Sequence, residues 1–164
     1  MGLIFPAVHS GRSPMKVVIF GCGRSGSMLA LQLASRGHKV TVIEKNPESL
    51  ERLGKDYPVR IVLGNGLDLD TLEKAGVDSC NAFFAMTRGD NTNLMAAQIV
   101  QHNYGVERVA VKVSDPVRAE AYRKLGLFCI NAAALIAGMC LTWFQQENYQ
   151  PIDEYNKLAE EMEL

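Results

Sequence analysis

Several kinds of active centre have no material in this chain. Its four cysteines, Cys22, Cys80, Cys129 and Cys140, form no C-x-x-C pair and have no histidine cluster beside them. That spacing argues against structural zinc and against a disulfide framework. The three histidines, His9, His38 and His102, lack H-x-x-x-H spacing and read as surface residues. No Ser/Cys–His pair, metal cluster or acid–base couple follows from the spacings, so the sequence offers no catalytic group and the expectation is a protein that is not an enzyme. Basic charge is not in excess: 17 Lys and Arg stand against 18 Asp and Glu, a formal net charge of -1. The electrostatic footprint of a nucleic-acid binder is missing, and no nucleic-acid partner is expected.

Long apolar runs are almost absent too, with one exception. From Gly126 to Gln146 there is no charged residue, a span of 21 residues that would cross a bilayer if it were all helix. Its opening, Leu127, Phe128, Cys129 and Ile130, has the composition of a short buried strand. Asn131 then interrupts the run, and Gly138, Thr142, Gln145 and Gln146 dilute the remainder. The expectation is therefore a strand followed by a helix over 132–144, with no direct membrane insertion. That helix is apolar nearly all round and must be buried against something.

What the chain does contain is the composition of one folded domain, with 164 residues of which 48% are hydrophobic and 21% charged. Residues 1–14 lack periodicity and read as a disordered leader, with Met15 as an alternative start. Six runs rich in β-branched and aromatic residues follow, at 16–20, 39–43, 60–63, 81–86, 108–113 and 127–130. They are mostly continuous rather than alternating, as in strands of a parallel sheet covered on both faces. Segments of helical length separate them. Asn46-Pro47 and Asp115-Pro116 each set an N-cap residue before a proline at the first helical position, and Gly76 and Gly126 sit where helices end. Strict alternation with right-handed crossovers predicts an α/β fold of Rossmann type. It is a doubly wound parallel sheet of six strands, order 3-2-1-4-5-6, over 15–131. The helix after the sixth strand and a polar, acidic tail complete the chain over 132–164.

Immediately after the first strand comes Gly21-Cys22-Gly23-Arg24-Ser25-Gly26, a G-x-G-x-x-G fingerprint between a strand and a Leu- and Ala-rich helix. Gly21 permits the tight turn, Gly23 lets a pyrophosphate approach the backbone, and Gly26 permits close packing of helix and strand. The helix N-terminus then offers free N–H groups and a positive dipole end to phosphate, and Arg24 adds a bidentate cation. Glu44 ends the second strand, placed to accept hydrogen bonds from both ribose hydroxyls and to repel a 2′-phosphate. NADP is thereby disfavoured, since the adjacent Lys45 is only a partial offset. Asn65 and Gly66 follow the third strand, Met86 and Thr87 follow the fourth, and Lys112 lies in the fifth. The first two pairs lie at carboxyl ends of strands, the edge at which such sheets bind ligands, while Lys112, a cation within an apolar run, either faces that site or is a solvated edge residue. Arg88-Gly89-Asp90 spells an adhesion tripeptide and reads as a helix-initiating loop. Two functions share these features: nucleotide binding without turnover, and a fragment of an NAD-dependent oxidoreductase.

Taken together, the segments KVVIFGCGRSGSMLA, GHKVTVIEKNPE, LEKAGVDSCNAFFAMT with DNTNL, and VAVKVSDP resemble the N-terminal domain of the RCK family, also called KTN or TrkA-N. The likeness runs from Lys16 to about Trp143. It implies a Rossmann domain that binds ATP, ADP or NAD(H) and regulates potassium or other cation transport from the cytoplasm, peripheral to the membrane through a transporter or channel subunit. It also implies assembly into a homodimer or a larger ring through the helix from Ala132 to Phe144. By position, Gly21, Gly23, Arg24, Ser25 and Gly26 would hold phosphates and Glu44 the ribose. Asn65 and Gly66 would border the adenosine, while Thr87 and Lys112 would approach the phosphate side. The chain departs from the family in having Gly64-Asn65 where Gly-Asp is frequent, and Ala132-Ala133 where many members read Pro-Glu. The second departure withdraws support for a cation site built on that glutamate. The family's separate C-terminal ligand-binding domain is not among these residues, so a fragment or a one-domain subunit is expected.

Overall fold

A computed structural model describes residues 13–55 and 58–145. The expected leader lies almost wholly outside the described residues, as does the acidic tail. Six strands form one parallel sheet: β1 (Lys16–Phe20), β2 (Lys39–Glu44), β3 (Val59–Leu63), β4 (Ala82–Ala85), β5 (Val109–Lys112) and β6 (Phe128–Ile130). Their order is β3-β2-β1-β4-β5-β6, as the sequence predicts. The α-helices are α1 (Arg24–Ser35), α2 (Leu69–Ala75), α3 (Asp90–Tyr104), α4 (Pro116–Lys124) and α5 (Ala132–Gln145).

Alternate residues of β1 serve two cores, which is why the strand sequences run apolar without interruption. Val17 and Ile19 pack with Val40, Val42 and Ala30 of α1 on one face. Val18 and Phe20 pack with Ile43, Leu72, Phe83, Leu94 and Val100 on the other, beneath α2 and α3. The crossover from β2 to β3 differs from a regular α-helix: Pro47–Leu53 is a 3-10 helix. Asn46 caps it as expected, its side chain accepting the Glu48 N–H at 3.1 Å. Asp115 likewise accepts the Val117 and Arg118 N–H groups at the start of α4. Gly76 closes α2 in the left-handed conformation, φ 79°.

The uncharged stretch resolves into β6 and the 14-residue α5. Among the described residues, no helix is long and apolar enough to cross a membrane. The expectation that this helix is buried is not met within one chain. None of its residues is buried, and Leu135, Ile136, Leu141, Trp143 and Phe144 all stand exposed.

Candidate functional site

The strand order reverses between β1 and β4, and at that point the carboxyl ends of the strands open into a cleft of about 1300 Å³. Its floor is the loop joining β1 to α1. Gly21 turns at φ +104°, and a Cβ there would lie 3.0 Å from the Thr87 nitrogen, so no side chain fits. Gly26 is tighter still, with an added Cβ 2.0 Å from the Gly21 carbonyl oxygen. Gly23 is the reverse case: no atom lies within 4 Å of a Cβ built on it, and the backbone faces open cleft. Helix α1 starts there without a side-chain cap and without an acidic residue in its first turn. Gly23, Arg24 and Ser25 therefore present uncapped amides and a cation to whatever occupies the cleft.

Glu44 forms one wall and is held by three backbone donors. The Cys22 N–H donates to its Oε2 at 2.7 Å, and the Lys45 and Asn46 N–H groups donate to its Oε1 at 2.9 and 3.0 Å. The carboxylate is thus fixed beside the glycine loop, with acceptor capacity left over on Oε2. Burial, reinforced by the Glu44 charge and opposed by Arg52, pushes the Cys22 thiol up to about 11, so it stays neutral. Lys45, Asn65 and Arg52 continue this wall. The Asn65 side chain accepts the Leu67 N–H at 3.2 Å and shapes the turn after β3.

Met86, Thr87 and Lys112 line the opposite wall. Behind them sits Asn93, fully buried in α3. Its Oδ1 accepts both the Thr87 N–H at 2.9 Å and the Thr87 hydroxyl at 2.6 Å. Its amide nitrogen donates to the carbonyls of Thr87 and Lys112 at 3.1 and 2.9 Å. Asp90 ties the next loop, accepting the Ser114 and Asp115 N–H groups at 2.8 and 3.0 Å. Burial raises the Asp90 carboxyl, but these bonds, the Ser114 hydroxyl and Arg118 outweigh it and hold the group below its ordinary value.

Most of the sequence-predicted residues meet at this one cleft. Gly26 and Gly66 do not line it. Gly26 lies beneath the loop, and Gly66 is buried against Phe20, whose ring a Cβ would meet at 2.6 Å. Asn93, Asp90 and Arg52 were not singled out from the sequence. Asn93 sits in the DNTNL segment, an amide one turn into a helix, which is the only sign of it that the sequence carries.

Fold and cleft together define a Rossmann-type domain whose glycine loop and strand-end carboxylate converge at the switch point. Comparison with known proteins narrows the class. The model of the TrkA-N domain matches residues 17–133, and the chain belongs to that family. A Trk system potassium uptake protein TrkA from Streptomyces coelicolor is 48% identical over 138 residues, covering 84% of this chain and 62% of the relative. The chain thus spans about three fifths of that protein's length. Two solved structures share the fold. The Shewanella denitrificans Kef CTD in an AMP-bound form has a TM-score of 0.67 at 20% identity, covering 80% of this chain and 83% of that one. The GsuK channel bound to NAD has a TM-score of 0.63 at 22% identity, covering 80% of this chain and 24% of that one.

Proposed function

We propose that this chain is a regulatory domain of a potassium or other cation transport system that binds ATP, ADP or NAD(H) without turning it over. The observation that carries the reading is the Glu44 carboxylate, locked by three N–H groups within reach of the uncapped amides at Gly23, Arg24 and Ser25. A ribose on Glu44 sets the following phosphates over those amides, with Arg24 as counter-charge. Asn65 borders the adenosine, and the 2′-phosphate of NADP meets a carboxylate and is disfavoured. Membership of the TrkA-N family and the AMP and NAD named for the two structural neighbours support an adenine nucleotide.

In this reading the domain works in the cytoplasm, at the membrane only through a transporter or channel subunit. Copies pair into a homodimer or ring through α5. The exposed side chains of α5, together with Phe128 on the edge strand at 68% exposure, leave apolar surface that pairing would cover. Calorimetric titration of the monodisperse chain with ADP, ATP and NADH tests the nucleotide. Saturable heat is expected, with a melting temperature that rises with ligand concentration. Zero heat with all three at millimolar concentration overturns the reading. Absorbance at 340 nm is expected to stay constant when NADH and small carbonyl compounds are added; oxidation of NADH would favour the oxidoreductase instead.

A further inference from the structure

Thr87 lines the cleft, and the direction of hydrogen bonding of its hydroxyl is fixed by its surroundings. The Asn93 amide nitrogen faces two carbonyls, those of Thr87 and Lys112, which only accept. That sets the side-chain amide unambiguously and turns its oxygen toward Thr87. An amide oxygen cannot donate, so the Thr87 hydroxyl must give its proton to Asn93 Oδ1, 2.6 Å away. The Thr87 N–H is spent on the same oxygen. One hydroxyl lone pair accepts the Gly89 N–H at 3.3 Å, and among the described residues no donor takes the remaining one, which leaves it to a ligand in the cleft that Thr87 lines. Toward a ligand, Thr87 is therefore an acceptor with no donor.

A phosphate oxygen set against it would bring lone pair to lone pair, whereas a sugar hydroxyl would donate to it. The geometry points to Thr87 as a specificity-determining residue that accepts a hydroxyl donor from the ligand, so that this wall suits a nucleotide with a second ribose beyond its pyrophosphate better than one ending in a terminal phosphate. This rests on the nucleotide reading above, with the first ribose at Glu44 and the phosphates over the glycine loop, so that the next group reaches the Thr87 wall. It replaces the expectation that Thr87 approaches phosphate. Lys112, on the same wall, donates to phosphate and sugar oxygens alike, so discrimination lies with the acceptor-only hydroxyl of Thr87.

The test is calorimetry of the full chain with ADP, ADP-ribose and ATP, on the native protein and on Thr87→Val and Thr87→Ser. The native protein is expected to bind ADP-ribose more tightly than ADP. Thr87→Val, which keeps the shape and removes the hydroxyl, is expected to weaken ADP-ribose about two- to tenfold, the range for one neutral hydrogen bond, with ADP and ATP unchanged or tighter. Thr87→Ser is expected to restore the native order. Equal weakening of all three ligands, weakening of ATP, or no change at all overturns the assignment. If Thr87→Val fails to fold, the native ratio decides: ADP-ribose no tighter than ADP overturns it. Binding of none of the three by the native protein fails the nucleotide reading itself, and this assignment with it.

Discussion

Two glycines three residues apart, Gly23 and Gly26, show how differently one motif uses the same residue. Gly26→Ala drives a methyl into the Gly21 carbonyl, a backbone group that cannot rotate away as a side chain would. A loss on the order of 3 kcal/mol in denaturant unfolding is expected. Gly23→Ala meets open space at a backbone conformation any residue adopts, φ -74°, so its expected stability change is under about 1 kcal/mol. The same variant is expected to lose calorimetric binding of ADP, because its methyl stands over the amides. Titration makes a further residue-scale prediction. The Cys22 and Cys80 thiols, both raised mainly by burial to about 11, ionise in the unfolded chain near 9 and in the folded one only later. Stability is therefore present below pH 9 and is expected to fall as the pH climbs from 9 toward 11. Urea midpoints across that range measure it. Replacing both cysteines by alanine should flatten the slope.

At the scale of elements, punctuation was legible and tertiary ties were not. Asn46-Pro47 and Asp115-Pro116 both start helices with the capping bonds that the residue types dictate. Asp115→Ala is expected to cost about 1 kcal/mol, read as a lower urea midpoint. The same signal does not distinguish an α-helix from the 3-10 helix of Pro47–Leu53, because a cap specifies only where the first turn begins. Strand order followed from the alternation of elements, since handedness leaves few topologies open. The glycine loop and Glu44 were legible because a local spacing specifies them. Asn93 and Asp90 were not: besides Thr87, six residues from Asn93, their partners lie 19 to 25 residues away at and just after the end of β5, and no local pattern announces that meeting. The packing of Gly66, expected to border the adenosine, was not legible either: the Phe20 ring that excludes a side chain there belongs to another strand.

For the whole molecule, the open question of the sequence, what covers the apolar helix, passes to assembly. Ile136 is 62% exposed on α5. If copies pair through this helix, Ile136→Lys is expected to shift the sedimentation profile toward monomer without altering the melting of the sheet; an unchanged profile refutes the pairing. The polar ties behind the Thr87 wall reach this helix. Asn93 joins Thr87 to Lys112, Asp90 holds Ser114, and buried Asn131 donates to Val113 and Ser114 while accepting the Ala134 N–H at 2.7 Å. Strain entering at one end of this relay has a covalent and hydrogen-bonded route to the root of α5. The Ala134 amide proton is accordingly expected to exchange with deuterium more slowly when the cleft is filled, a clock for occupancy set at the far side of the fold.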